Sequence, residues 1–228
     1  MKKIMLVALA AIMTISASAQ IVSVSNKEIS TKAPSQKVHY VQGAIGFLNL
    51  SGNGVKDAES AIGFDALWGY EKPLGYGIWW GQEIGLGTSR GSSASGSASD
   101  RYSKAEITTT YRAYSVRYTP ANFGYRYRIN NNWAIEAHLG IGISFDFAGG
   151  ITTEVSGTSN GTSQSASAST SIWDWNDYTP FDVMLKIGAG FNYKHIGFDF
   201  SWQKGFIDHF KDSQASASNI FLGVRYVY

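Results

Sequence analysis

The amino-acid sequence predicts an all-β fold, specifically an eight-stranded antiparallel up-and-down β-barrel that spans a membrane. The first observation is the segment 133–147, in which large apolar residues or Ala alternate with polar or very small residues. A period of two is typical of a β-strand, and this segment is much longer than the usual strand of about 5 to 6 residues. An apolar face and a polar face in one long strand indicate lipid outside and a wet interior. The second observation is that this pattern recurs along the chain, and the third is a secretion signal at its start.

The first nineteen residues have the pattern of a signal peptide. Lys2 and Lys3 precede the apolar run 4–13, and Ala17-Ser18-Ala19 provides the small residues of a cleavage site before Gln20. A membrane anchor is the alternative, but it needs about 20 apolar residues, roughly twice what this run offers. We see no later stretch long enough for a membrane helix, and a closed barrel is the remaining way to satisfy a backbone within lipid.

Composition narrows the function classes further. Removing 19 of the 228 residues leaves 209, and the loss of two lysines leaves 17 basic residues against 17 acidic ones. This balance argues against a nucleic-acid partner. There are no cysteines and therefore no disulfides. We expect one domain: a short periplasmic segment over 20–37, then the barrel over 38–228.

Other segments repeat the alternation with different clarity. The first strand is a weaker prediction, because Gln42 and Leu48 blur the division between its faces. In chain order the predicted strands are residues 39–50, 61–70, 78–87, 106–129, 133–147, 181–193, 196–203 and 220–228.

The fourth strand leaves the strand count open, because Pro120 lies within it and proline cannot donate to a ladder. A kink at Pro120 gives eight strands, and a full turn gives a count towards ten. Long connections (51–58, 90–105, 149–178 and 205–218) alternate strictly with short turns (72–75, 130–132 and 194–195). Membrane barrels have long extracellular loops and short periplasmic turns, which favours eight strands with both ends periplasmic.

The final strand carries a more specific signal. Val224, Tyr226 and Tyr228 share one apolar face with the residues before them, and the sequence ends on an aromatic residue. This ending resembles the C-terminal signal by which bacterial outer-membrane barrels are recognised for insertion. Residues 38–228 as a whole resemble the small outer-membrane barrels of the OmpX, OmpA-barrel and PorT-like type, often labelled "porin family". The resemblance implies an integral protein of the Gram-negative outer membrane, in contact with lipid and with the barrel-insertion machinery.

Small polar residues dominate the long connections, in runs at 91–99, 161–169 and 214–218. Such runs cannot offset their chain entropy by burial, so we expect mobile tips. Two interpretations stay open: a solvated spacer, or a display region in which extended loops pair as ribbons beyond the membrane. Trp173, Trp175 and Tyr178 close the longest connection and fit either a surface contact or an interfacial aromatic girdle.

The inward face of the predicted strands is rich in charge. An eight-stranded barrel is filled by its own side chains, and charges inside it must pair to offset their desolvation. We therefore expect a buried polar network and a plugged interior. Its predicted members are Asp65, Glu83, Glu136, His138, Asp146, Asp182, Lys186, Asp199, Gln203 and Arg225.

The sequence predicts no catalytic residues, cofactor or metal. Among the histidines, only His209, beside Asp208 in a long connection, could serve a Ser-His-acid hydrolase at the rim. The predicted role is therefore structural, surface-display or partner-binding. A narrow passive pore is the first alternative, and a lipid-modifying enzyme is the second.

Overall fold

The computed structural model describes residues 37–51, 59–100, 103–159, 162–175, 177–210 and 215–228. Within them, eight strands form a closed antiparallel ring in the order β1-β3-β4-β5-β6-β8-β9-β10, with β10 paired to β1. The strands are β1 (Val38–Leu48), β2 (Leu50–Ser51), β3 (Glu59–Gly75), β4 (Ile78–Asp100), β5 (Ser103–Arg128), β6 (Trp133–Ser159), β7 (Thr162–Ser171), β8 (Phe181–Tyr193), β9 (Ile196–Gly205) and β10 (Ser216–Val227), with a 3-10 helix at Ile172–Asp174. The predicted all-β, eight-stranded, up-and-down order is confirmed.

Alternation sorts the side chains between the two sides of the wall. Ile45 and Ile62 on the outer face are 67% and 68% exposed, whereas Gln42 and Leu48, which blurred the first strand, both point inward and are buried. An apolar outer band around a polar interior is the arrangement that lipid requires. No helix in the described part of the chain is long and apolar enough to cross a membrane.

Pro120 produces a bulge and not a turn. β5 is continuous from Ser103 to Arg128, and its pairing with β6 shifts register between Tyr118 and Ala121. Pro120 lies on the exposed face. A bulge absorbs the missing donor without ending the strand, which is why the count stays at eight.

Short turns join the strands at one end of the barrel, which we call the turn end; the opposite end is the loop end. β3 and β4 are joined by Tyr76 and Gly77, both with positive φ (52° and 82°). Two such residues form the hairpin turn whose twist matches the flanking strands. The predicted turn over 72–75 is part of β3, and the actual turn comes directly after it. Glu71 therefore lies within the barrel wall.

The connections predicted as loops over 90–105 and 149–178 are largely strand. β4, β5 and β6 continue past the ring, and β7 pairs along β6 from Gly150↔Ser171 to Ser159↔Thr162. We call residues 91–100, 103–112, 150–159 and 162–171 the raised sheet. By strand geometry its ten-residue strands are about 30 Å long. Backbone pairing satisfies the donors and acceptors that face a neighbouring strand, which the composition of these segments alone does not reveal.

A line of bulges marks where the raised sheet leaves the ring. Register shifts occur beside Thr88, Tyr114 and Ala148, three residues that lie opposite one another on adjacent strands. Gly149 follows with φ 158°, and a Cβ there would lie 2.5 Å from the Arg112 carbonyl oxygen. Bulges at a barrel rim bend strands, and here they separate the wall from its extension.

Several predictions fall outside the described residues. These are the signal peptide over 1–19 and all but the last residue of the 20–37 segment, together with the tips at 101–102 and 160–161 and most of the 51–58 connection. Residues 211–214 of the 205–218 connection also lie outside.

Candidate functional site: the barrel interior and the raised sheet

Two arginines link two glutamates at the turn end of the interior. Arg225 binds Glu71 (Nη1 to Oε1, 3.0 Å) and also contacts Glu136. Arg126 completes the ring with distances of 2.6 Å to Glu71 and 2.7 Å to Glu136. Asn192 donates to Glu136 at 2.9 Å. Every carboxylate of this layer is thereby paired, as burial requires.

The middle of the barrel contains a second set of pairs. The Lys186 ammonium lies 2.8 Å from Glu83 Oε2, while Tyr40 and Asn122 donate to Glu83 Oε1 at 2.5 and 2.7 Å. Arg117 pairs with Asp65 and donates to Gln203 at 2.8 Å. A cavity of about 10 Å³ remains beside these groups, room for about one water molecule.

An apolar layer follows towards the loop end. Leu48, Phe221, Ala44 and Ala61 form a buried cluster on the inward face. The Arg117 guanidinium lies 5.7 Å from the centre of the Phe221 ring. This layer lies between the two polar regions of the interior.

The loop end is organised around fully buried Arg90. Its Nη1 lies 2.5 Å from Asp146 Oδ2, and its Nη2 lies 3.6 Å from Asp182. Tyr178 donates to Asp146 and lies 3.0 Å from the Tyr111 hydroxyl. Burial raises the pKa of Tyr111 to about 12 and also raises the pKa of Tyr178, so both phenols stay protonated at physiological pH.

His209 lies in the same cluster and has the surroundings of a structural histidine. Its Nε2 is 3.1 Å from Asp182 Oδ2, and its Nδ1 is 3.1 Å from the Thr179 carbonyl oxygen. Both ring nitrogens therefore face acceptors. Among the described residues no serine hydroxyl hydrogen-bonds to this ring, so the nucleophile of a hydrolase triad is missing from its contacts.

All ten residues predicted for the interior lie on the inward side and are buried. His138 and Asp199 face each other at 3.5 Å, but neither ring nitrogen of His138 has a hydrogen-bond partner among the described residues. The prediction omitted several partners: Tyr40, Glu71, Arg90, Arg117, Asn122, Arg126 and Asn192. The sequence did indicate that basic residues were missing from the predicted set, because that set contains six carboxylates and only two side chains that are always positively charged.

The predicted surface aromatics divide into two groups. Trp173 is 53% exposed, lies beside Phe145 on the outer wall, and donates to the Phe147 carbonyl oxygen at 3.3 Å. The Trp175 ring packs against Phe210 in a tilted arrangement, with 5.3 Å between ring centres. Tyr178 is half-buried, and its hydroxyl donates inward to Asp146.

The C-terminal strand closes the barrel. Val224, Tyr226 and Tyr228 face outward and are 51%, 54% and 59% exposed. The Tyr228 amide donates to the His39 carbonyl oxygen at 2.9 Å, which joins the last strand to the first. Recognition of this strand by an insertion machine stays a prediction.

The raised sheet has two different faces. Directly opposite residues of an antiparallel pair share a face, so each register row can be assigned. The small face continues the inward side of the barrel: Ala94, Gly96, Ala98, Ala105, Ile107, Thr109, Thr153, Val155, Gly157, Gln164, Ala166 and Ala168. The hydroxyl face carries Ser, Thr, Glu106, Glu154 and Lys104. At its base, Tyr111, Ala113, Leu50 and Ile172 form a buried apolar cluster.

The sequence matches the outer membrane protein beta-barrel domain over residues 6–227. The chain belongs to this family of outer-membrane β-barrel proteins. Membership gives the outer membrane as its location. No curated protein matches the chain.

Solved structures of other outer-membrane barrels are similar at low identity. Ail, the attachment invasion locus protein of Yersinia pestis, is 15% identical, with a TM-score of 0.39 over 85% of this chain and 99% of Ail. Neisserial surface protein A is 13% identical, with a TM-score of 0.39 over 82% of this chain and 96% of that protein. The N-terminal barrel domain of Pseudomonas aeruginosa OprF is 9% identical, with a TM-score of 0.30 over 83% of this chain and 97% of that domain.

Proposed function

We propose that this protein is a plugged outer-membrane barrel that holds the raised sheet outside the cell and binds a protein partner by strand addition at β7. The loop end then faces the medium and the turn end faces the periplasm. The observation that carries the proposal is the edge of β7. This strand pairs with β6 on one side, and its other side has no partner strand among the described residues.

A free strand edge offers a row of backbone donors and acceptors to another chain. Proteins that avoid such pairing place Lys, Pro or inward charges on the edge. The segment Thr162–Ser171 has none of these and consists of Ser, Ala, Thr and one Gln. Its small side chains do not obstruct the free edge on either face of the sheet, so an extended segment of a partner can add as the next strand.

The base of the sheet supports this role because it is held in place. The buried cluster of Tyr111, Ala113 and Ile172 packs at the foot of the sheet, and Arg90 ties β4 to Asp146 of β6. A binding element on a rigid base loses less conformational entropy when a partner docks. The filled interior in turn fits a scaffold better than a channel.

The experiment uses a matched pair of substitutions. Ser165 on β7 and Ser156 on β6 are directly opposite and share a face. S165K places a charge on the edge strand, and S156K places the same charge one strand inward. The chain has no cysteine, so a single Ser169→Cys reporter can carry a photocrosslinker on intact cells.

We expect crosslinked adducts from the Ser169→Cys reporter that fall at least tenfold with S165K and persist with S156K. Adducts that persist with S165K, or fall equally with both lysines, contradict strand addition at this edge. Heat-modifiable mobility on a gel verifies that each variant contains a folded barrel.

A further inference from the structure

Three side chains from β6 and β9 converge inside the barrel across two glycines of β8. Glu136 and His138 lie two residues apart on the inward face of β6, and Asp199 lies on β9. The intervening positions of β8 are Gly190, opposite both Glu136 and Asp199, and Gly188, opposite His138. A Cβ at Gly188 would lie 1.8 Å from His138 Nε2, so the imidazole occupies space that only a glycine leaves. Donor atoms of the three side chains all lie within 4.8 Å of one another.

We propose that Glu136, His138 and Asp199 bind a divalent transition-metal ion, for which zinc is the best match. Imidazole nitrogen and carboxylate oxygen are both zinc ligands, at about 2.0 to 2.2 Å. Two ligands at such distances from a tetrahedral ion lie about 3.4 Å apart. The observed separation of 3.5 Å between His138 Nε2 and Asp199 Oδ1 fits that geometry.

Unmet hydrogen-bonding capacity points to the same place. His138 and Asp199 are 6% and 1% exposed. Neither His138 nitrogen nor Asp199 Oδ1 has a hydrogen-bond partner among the described residues. Buried polar atoms in a folded protein are normally paired, and an ion between these groups would satisfy two of the three atoms.

Charge balance gives an independent reason for a cation. Seven carboxylates are buried in the described interior, and six of them lie within 4.0 Å of an Arg or Lys nitrogen. Asp199 is the exception, and its only ion-pair neighbour is His138. A buried carboxylate without a cation is strongly unfavourable, so this position has the strongest demand for positive charge.

Glu136 is the third ligand although Arg126 and Arg225 also contact it. Its Oε2 accepts three hydrogen bonds, from Arg126 and Asn192, whereas Oε1 accepts one, from Arg225, so Oε1 is the oxygen with room for an ion. Metal-ligating carboxylates commonly keep such hydrogen bonds. Water would complete a four-coordinate site. Arg126, whose side chain is 23% exposed, is the least covered member of the turn-end layer and marks the entry side.

The test measures zinc in the folded barrel purified from outer membranes, incubated with Zn²⁺ and freed of unbound metal by gel filtration. We expect about one zinc per wild-type barrel by mass spectrometry and at least a tenfold loss in His138→Gln and in Asp199→Asn. His209→Gln is the matched control, since it removes another buried histidine beside an aspartate, and it should retain the zinc.

A second measurement needs no variant. Wild-type barrel loaded with Co²⁺ should show the visible absorption of tetrahedral cobalt, and Zn²⁺ should abolish it at one equivalent. Substoichiometric zinc in the wild type, retention of zinc by His138→Gln, or no cobalt spectrum would each overturn the site. None of these outcomes depends on the partner proposed for β7.

Discussion

The ion pair between Lys186 and Glu83 offers the most direct test of the paired interior. Both side chains are almost completely buried, and the ammonium lies 2.8 Å from Glu83 Oε2. Glu83 Oε1 accepts from Tyr40 and Asn122. Lys186→Met keeps the length of the side chain but removes its charge. Glu83 is then a buried carboxylate with two neutral donors and no cation in hydrogen-bonding contact.

The expected cost follows from that uncompensated charge. Removing one partner of a buried pair lowers the free energy of unfolding by about 3 to 5 kcal/mol. Adding Glu83→Gln removes the second charge while keeping an acceptor for Tyr40 or Asn122. The double variant should therefore lose only about 1 kcal/mol, the order of one net hydrogen bond. Glu83→Gln alone leaves Lys186 without its partner and should cost a similar amount, so the sum of the two single losses should exceed the double-variant loss by about 5 kcal/mol or more, beyond the usual range for residues in contact.

Urea titration of the barrel in phospholipid vesicles, followed by tryptophan fluorescence and by gel mobility, measures these free energies. Lys204→Met is the control, because Lys204 lies at the loop end and, within the part of the chain that the structure describes, donates only to the hydroxyls of Ser51 and Ser216. It should change stability by less than about 1 kcal/mol. A Lys186→Met effect as small as that of Lys204→Met, or additive single effects, would refute a pair held by mutual charge compensation.

Three further predictions follow from other parts of the molecule. The wild-type barrel in a planar bilayer should give no steady single-channel conductance, because the side chains leave a cavity of only about 10 Å³ at its middle; reproducible steps would contradict a plugged interior. Gly149→Ala should make the raised sheet sensitive to added protease while the barrel stays intact, since the new Cβ meets a backbone oxygen at 2.5 Å; Gly157→Ala, with 3.4 Å to its nearest neighbour, should not. Tyr228→Ala should reduce the amount of barrel assembled in cells several-fold without preventing refolding in detergent, whereas Tyr76→Ala at an exposed turn should assemble normally; equal assembly of both would remove the role of the C-terminal aromatic residue.

The strand order could be predicted because its cause lies in the sequence itself. Lipid on one side and a polar interior on the other force alternation, and an unbroken alternation such as 133–147 has only one reading. The faces of the first strand were harder to assign from the sequence, because Gln42 is polar and Leu48 is apolar although the two share a face. Both point inward: Gln42 donates to Asp199 at 3.4 Å, and Leu48 belongs to the apolar layer. A barrel with both polar and apolar layers inside cannot be recognised from polarity at single positions.

The raised sheet corresponds to one of the two interpretations of the long connections, in which extended loops pair as ribbons, and composition alone does not select it. Runs of Ser, Ala and Gly have low strand propensity and little surface to bury, so composition favours a solvated connection. Pairing nevertheless extends into them because β5 supplies β-branched residues opposite those runs, among them Ile107, Thr108 and Thr109. The strand signal thus lies in the central strand and not in the Ser-rich strands beside it.

The inward glycines connect the predicted and the unforeseen parts of the interior. In the sequence they stand among the polar residues that alternate with the apolar ones, and nothing there indicates why a glycine is needed at a given position. In the structure, Gly188 and Gly190 of β8 have no side chains to fill the space between β6 and β9. His138, Glu136 and Asp199 meet in that space. Of the seven buried carboxylates among the described residues, six form an ion pair with an arginine or lysine, and the seventh, Asp199, lies in this space. These glycines therefore leave room beside the one buried carboxylate of the described interior that forms no ion pair with Arg or Lys, and a bound cation would supply the missing partner.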